Sequence, residues 1–335
     1  MISMEHIRRN SRQWALYGMR LGLASALSIY TAHILGLMFE TQAGVICIFS
    51  MLTTSKDTLK LSVSRLISFI ITAVSALILF RYMNGFIAYG IFIFITIYFS
   101  EAMGWGAALS ANVVAGTHFL AVSEFTPAVV LNEFYIVLIG MAFALLFNMF
   151  RDTYSLKDRL DSHILGIQSK MQTVLAGIAD YMESRTDTGK IWQDLRDVQD
   201  RLETCIRLSA EFQGNSFSDG AEYYFGYFSM RRDQCQILEH LQKELEKVRT
   251  VPRQTTVIVE YIRYMSLYVT ELNVPEKQLE HLKGIFARME KEPLPVSREE
   301  FENRAILYHV LMDLEDFLLV KQKYLETEKG NIPKF

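Results

Sequence analysis

Residues 44–57 read GVICIFSMLTTSKD: about nine apolar positions, then Thr53-Thr54-Ser55-Lys56-Asp57 with no turn residue between. A helix crossing a hydrocarbon core of ~30 Å needs ~20 largely apolar residues, and this run supplies roughly half of them. Apolar stretches on both sides make the shortfall the feature around which the rest of the chain is read.

The sequence has 335 residues, and its charge is divided unevenly along it. Residues 1–150 contain 8 Lys/Arg and 6 Asp/Glu, whereas residues 151–335 contain 26 basic and 31 acidic side chains. The first part is composed as a membrane domain and the second as a water-facing one, which places a boundary near residue 152 and gives domains 1–152 and 153–335. Net charges of about +2 and −5 leave no strongly basic face, so nucleic acid is excluded as a partner. Cys47, Cys205 and Cys235 are isolated, without a CxxC pair or a histidine at ligand spacing, and no metal site or disulfide framework is expected.

Six membrane segments are expected, at 14–39, 42–55, 63–83, 86–100, 102–122 and 132–150, with turns at Asn84-Gly85 and around Pro127. The first is too long for a signal-peptide core and is expected to stay attached. Flanks on one side carry Arg8, Arg9, Arg12, Lys56, Lys60, Arg65, Arg151, Lys157 and Arg159, and those on the other carry only Arg81. The positive-inside rule then puts both termini in the cytoplasm. Small residues recur every four positions as Gly18-Gly22-Ala26, Ser64-Ser68-Thr72-Ala76 and Gly140-Ala144, the spacing that lets helix backbones approach closely in lipid.

From Leu156 the pattern turns amphipathic. Leu160, Ile164, Ile167, Met171, Val174, Ile178 and Tyr181 form one stripe, and Ile191, Leu195, Val198, Leu202, Cys205, Ser209 and Phe212 form the next. Further helices are expected over 221–249, 255–272, 275–291 and 298–328, with capping boxes at Asn273–Glu276 and Ser297–Glu300. The expected fold is therefore all-α: about six transmembrane helices followed by a cytoplasmic antiparallel bundle. No phosphate loop, HExxH or GxSxG is present, so no catalytic residues and no cofactor are assigned.

The stretch RLGLASALSIYTAHILGL, the short second helix and Arg65 opening the third resemble the aromatic acid exporter family of bacterial membrane proteins. YYFGYFSMRRDQCQILEHL (223–241) and PLPVSREEFENRAILYHVLMDLEDFLLVKQKY (293–324) resemble the C-terminal domain of relatives from Gram-positive bacteria. The resemblance implies export of organic, aromatic anions across the cytoplasmic membrane. It departs at Ser68 and Thr72, where relatives tend to carry glycine.

Polar groups at membrane depth are tolerated where they line a cavity or are buried in protein, so the short second span points to a substrate path. Thr53, Thr54, Ser55, Lys56, Asp57 and Arg65 are expected at its cytoplasmic mouth, with Gln42 and Ser50 deeper. The bland reading is a tilted helix whose lysines reach lipid phosphates. Asn112 and His118 are further candidates, His118 as a proton carrier or as a packing element. Lipid, a small organic anion and a second copy of the chain are the expected partners. The competing class is a membrane-anchored scaffold whose cytoplasmic bundle binds another protein.

Overall fold

The structure, a computed structural model, describes residues 4–51, 54–122, 124–149, 153–184, 188–217, 220–248 and 253–327. Among the described residues the chain is all-helical and divides into two compact units, Met1–Arg151 and Asp152–Phe335. The N-terminal unit contains α1 (Met4–Ile34), α2 (Thr41–Ser50), α3 (Ser55–Tyr82), α4 (Gly85–Ala102), α5 (Leu109–Ala121, preceded by a 3-10 turn at Gly106–Ala108) and α6 (Pro127–Met149). The C-terminal unit contains α7 (Thr153–Ser184), α8 (Thr188–Asn215), α9 (Ala221–Leu245), α10 (Thr255–Ser266), α11 (Glu276–Glu290) and α12 (Arg298–Thr327).

Among the described residues three helices, α3, α4 and α6, are long and apolar enough to cross a membrane, and α2 is a shorter apolar helix. At 1.5 Å per residue α2 reaches only ~15 Å. The unit is apolar on its outside: Val74, Ile78, Phe86, Phe94 and Tyr98 are each more than half exposed, while much of its buried interior is Ala, Ser and Thr. A surface of that kind suits lipid and not water.

The short helix is the centre of this unit, packed between α1 and α6, while α3 packs on α4, α5 and α6. Close approach depends on glycines. A Cβ on Gly140 would lie 2.7 Å from the Ala43 carbonyl oxygen and 2.8 Å from Ile46 Cβ. One on Gly44 would meet Ile29 and Ser25 of α1, and one on Gly116 would meet Phe92 of α4. Ala144, Ser68, Thr72 and Ala76 are buried, and Ser64 is half-buried with its hydroxyl on the Lys60 carbonyl.

The expected seam on α1 differs. Gly18, Gly22 and Ala26 are exposed, and a Cβ on either glycine would meet nothing within 4 Å. The packed row is Ala24, Ser28 and Ala32. Two positions turn a helix by ~200°, so the glycine row lies on the opposite face. Pro127 also differs: it opens α6 where a loop was expected, because its fixed φ and missing N–H suit a first helical position.

In the C-terminal unit α9 lies between α8 and α12, and α7 packs on α8 and α10. The stripes of α7 and α8 are spent in this unit's own core. They are therefore not available as faces for self-association. Tyr223, Tyr224, Tyr227 and Phe228 are buried in the same core. Ser297 caps α12 by accepting from the Glu300 N–H at 3.1 Å, but Pro275 precedes α11 without a side-chain cap and Asn273 turns instead toward Gln278.

Gly140→Ala should destabilise the protein by about 1–3 kcal/mol, since the clash is with backbone that cannot rotate away. Gly18→Ala should leave stability unchanged or slightly higher. Thermal unfolding of the two variants in detergent separates these outcomes.

Candidate functional site

The polar run after α2 does not extend that helix. The helix stops at Ser50, Met51 is extended (ψ 100°), and Thr54 begins a new helix as the N-cap of α3. Its Oγ1 accepts from the Asp57 N–H at 3.2 Å and donates to the Asp57 carboxylate at 2.6 Å. The signal for this was present in the sequence as T-x-x-D, a cap arrangement with an acid in the first turn. Ser55, Lys56 and Asp57 are thus the first turn of α3, and not the tail of α2. Thr53 lies outside the described residues.

A chain break inside a membrane unit exposes backbone that lipid does not satisfy. Two buried side chains brace the backbone on either side of the break here. Asn148 of α6 donates to the Thr54 carbonyl at 2.9 Å and to Thr58 Oγ1 at 2.7 Å, and its own carbonyl accepts from Ser55 Oγ at 3.0 Å. Arg65 of α3 is the second, and it is fully buried.

The Arg65 guanidinium bridges two interrupted elements. Nη1 donates to Ser50 Oγ and to the Ile46 carbonyl at 3.5 Å, at the C-terminal end of α2, and Nη2 donates to the Ala107 carbonyl at 3.1 Å, in the 3-10 turn before α5. A helix C-terminus carries roughly half a negative charge, which favours a cation there but does not neutralise it. Among the described residues no carboxylate pairs with Arg65, and its Nε has no hydrogen-bond partner. One turn along α3, Ser68 Oγ accepts from buried Asn112 of α5 at 2.7 Å, which extends the polar seam.

Beside this seam is a cleft of about 520 Å³ whose wall includes Asp57, Lys60, Leu61, Ser64, Trp105 and Ala107. That volume falls within the range of small-molecule sites, ~300–1,000 Å³. Ala107 belongs to both features: its residue lines the cleft and its carbonyl holds Arg65. The cleft thus combines an aromatic ring and a lysine with a guanidinium one residue behind its wall.

A second polar pair sits at the other end of α5. His118 Nδ1 lies 2.9 Å from Glu133 Oε1, with Glu133 fully buried in α6. The His118 ring stacks on Phe39 at 4.0 Å and 7°. Phe39 adopts φ 60°, a left-handed conformation that costs a bulky residue ~1–3 kcal/mol. Asn132 holds that turn in place by accepting from the Met38 N–H at 2.8 Å and donating to the Met38 carbonyl at 3.0 Å.

Of the residues expected on the path, the structure brings Ser50, Arg65 and Asn112 into one seam and sets Ser55 beside it. Gln42 is buried elsewhere on α2, Lys56 is exposed, and His118 belongs to the separate pair. Glu133 and Trp105 were not singled out by sequence. Glu133 is signalled by an acid within an otherwise apolar 23-residue helix; Trp105 carries no signal beyond its residue type.

Two family profiles match the chain. "Aromatic acid exporter family member 1" matches residues 17–151, and "Putative aromatic acid exporter C-terminal domain" matches residues 157–322. A relative is "Uncharacterized protein YqjA" of Bacillus subtilis (strain 168), 26% identical over 312 residues, spanning 91% of this chain and 94% of that protein. A similar solved structure is titled "Crystal structure of putative membrane protein from Clostridium difficile 630"; it shares 25% sequence identity with a TM-score of 0.45, covering 50% of this chain and 99% of that one.

The brace at the break is directly testable. Asn148→Leu roughly keeps the volume but removes the bonds that tie α6 to the Thr54 carbonyl and to Thr58 Oγ1, and should lower stability by about 1–3 kcal/mol, read as a fall in the unfolding temperature of the detergent-solubilised protein.

Proposed function

Because the chain belongs to the aromatic acid exporter family, we propose that it carries organic anions, aromatic carboxylates among them, out of the cell across the cytoplasmic membrane. In this reading the N-terminal unit crosses the bilayer six times, both termini are cytoplasmic and the C-terminal bundle lies in the cytoplasm. With Arg65 set aside as buried, eight cationic flanks against one support that orientation. The exposed Gly18, Gly22 and Ala26 face of α1 supports a homo-oligomer, since small residues let helices of two copies approach in lipid.

The observation that carries the proposal is Arg65: a guanidinium buried at an interrupted helix, without a carboxylate partner among the described residues, behind a cleft lined by Lys60 and Trp105. An uncompensated cation at membrane depth is a functional feature by default. Its preference is for carboxylate, which it can bind bidentately, and Trp105 supplies a face for an aromatic ring. The energetics need no further driving ion. A monovalent anion leaving a negative-inside cell gains ~2.3 kcal/mol per 100 mV.

Efflux of carboxylates from proteoliposomes tests the reading. An imposed inside-negative potential should accelerate flux in the wild type. Arg65→Ala should lower it about tenfold or more, the equivalent of losing a charge-assisted bond worth ~1.5–3 kcal/mol. Trp105→Ala should reduce the preference for aromatic over aliphatic substrates, and Lys56→Ala, at an exposed position, should have little effect. Absence of flux for every carboxylate tested would overturn export and leave the membrane-anchored scaffold.

A further inference from the structure

The C-terminal unit holds two cations in its interior. Arg231 of α9 is 0% exposed and Lys321 of α12 is 3% exposed, and both donate to one acceptor, the Thr270 carbonyl in the segment after α10. Arg231 also donates through Nε to the Tyr227 hydroxyl at 3.1 Å and through Nη1 to Gln234 Oε1 at 2.9 Å, with the guanidinium 5.1 Å from the Tyr227 ring centroid. Gln234 in turn donates to the Phe317 carbonyl at 2.8 Å and so links α9 to α12.

Counting donors shows what is missing. A guanidinium has five N–H groups and an ammonium three. The bonds above engage three of the first and one of the second, and among the described residues neither cation forms an ion pair. Two like charges therefore share one carbonyl, and four of their eight N–H donors are left over from these bonds, an arrangement costly in an apolar bundle core. Arg231, Lys321, Gln234, Asn273 and Gln278 line a common small cavity in which the centre of a water-sized sphere can range over about 10 Å³. A water would offer two lone pairs and no charge; an anion accepts from all four donors and compensates the repulsion. The space is far too small for an aromatic acid.

The geometry points to a binding site for one compact monovalent inorganic anion, chloride in size, held between Arg231 and Lys321 where α9 packs on α12. The site is independent of the proposed export path. Its occupancy depends on Lys321 being protonated. Burial, then the neighbouring Arg231, hold that ammonium down to about 7, against an ordinary value of 10.5, and Glu271 opposes the shift. Glu271 is engaged by the Tyr223 hydroxyl, which burial and Glu271 push far above its usual range, and burial pushes the Cys235 thiol up to about 12. Lys321 is thus the group of this cluster that titrates near neutrality. Without an anion the folded state releases the Lys321 proton more readily than the unfolded state, so stability rises as pH rises from about 7 toward 10.5. Anion binding acts in the opposite direction and stabilises most below about 7.

The test uses full-length protein in detergent, unfolded by heat in sodium chloride or in sodium gluconate at equal ionic strength. At pH 6 chloride should raise the unfolding temperature saturably and the larger gluconate should not. The half-saturating chloride concentration should rise roughly fivefold between pH 7 and pH 8 as the protonated fraction falls. Lys321→Met, which removes the buried charge and keeps an unbranched apolar side chain, should abolish the chloride shift. Identical wild-type curves in the two salts at pH 6, or an undiminished chloride shift in Lys321→Met, would overturn the site. Should that variant not fold, wild-type crystals grown in bromide decide the matter: an anomalous peak between α9 and α12 supports the site, and its absence counts against it.

Discussion

Hydrocarbon offers no hydrogen bonds, and the N-terminal unit is organised around meeting that condition at one interrupted place. Between Ser50 and Ser55 the chain leaves one helix and enters another, so helix-end carbonyls and N–H groups must find partners inside the protein. Thr54 caps the new helix, Asn148 adds a bond from α6 to the Thr54 carbonyl that Thr58 already engages, and Arg65 adds one to the Ile46 carbonyl near the end of α2. Each partner comes from a different helix or a different turn of one, so the break also ties α2, α3 and α6 together.

The same constraint explains the packing. A helix too short to span must be surrounded by others, and α2 sits between α1 and α6 at separations that only glycine permits at Gly44 and Gly140. Small and hydroxylated residues make up much of the interior, beside a buried cluster that includes Phe69, Phe92 and Phe119, because lipid provides no hydrophobic force between helices, while many other bulky aliphatic and aromatic side chains face outward. The C-terminal unit follows the opposite rule, with Leu, Ile, Phe and Tyr collected in its core. Both units nonetheless bury an arginine, Arg65 in one and Arg231 in the other, and each arginine donates to backbone carbonyls with no ion pair among the described residues. Carbonyl dipoles stabilise a guanidinium without cancelling its charge.

Where sequence reasoning missed, local and tertiary effects were in competition. Continuity of the apolar run carries Thr54-Ser55-Lys56-Asp57 on as the polar end of α2, yet the Thr54 and Asp57 cap, a local signal that hydropathy masks, starts a new helix. The spacing of Gly18, Gly22 and Ala26 marks a helix-packing row, yet within this unit α1 packs through the other face. Spacing selects a face but does not say which face is covered, and Ala24, Ser28 and Ala32 have the same period on the other side. The stripes of α7 and α8 were correctly read as needing partners, and those partners are within the unit.

What the sequence by itself determined follows from composition and period: an all-helical chain, an apolar first part, a water-compatible second part, and the order of the helices, with ends displaced by up to ten residues, as at the start of α1. Those properties depend on residues near one another along the chain, where hydropathy and capping act. Only the tertiary structure decided which polar residues meet. Arg65 reaches Ala107 across 42 positions, Asn148 reaches Thr58 across 90, and Arg231 and Lys321 converge on Thr270 from two different helices. Such pairings carry no signature in spacing, because the energy that enforces them, the cost of an unsatisfied polar group in an apolar interior, exists only once the helices have enclosed it.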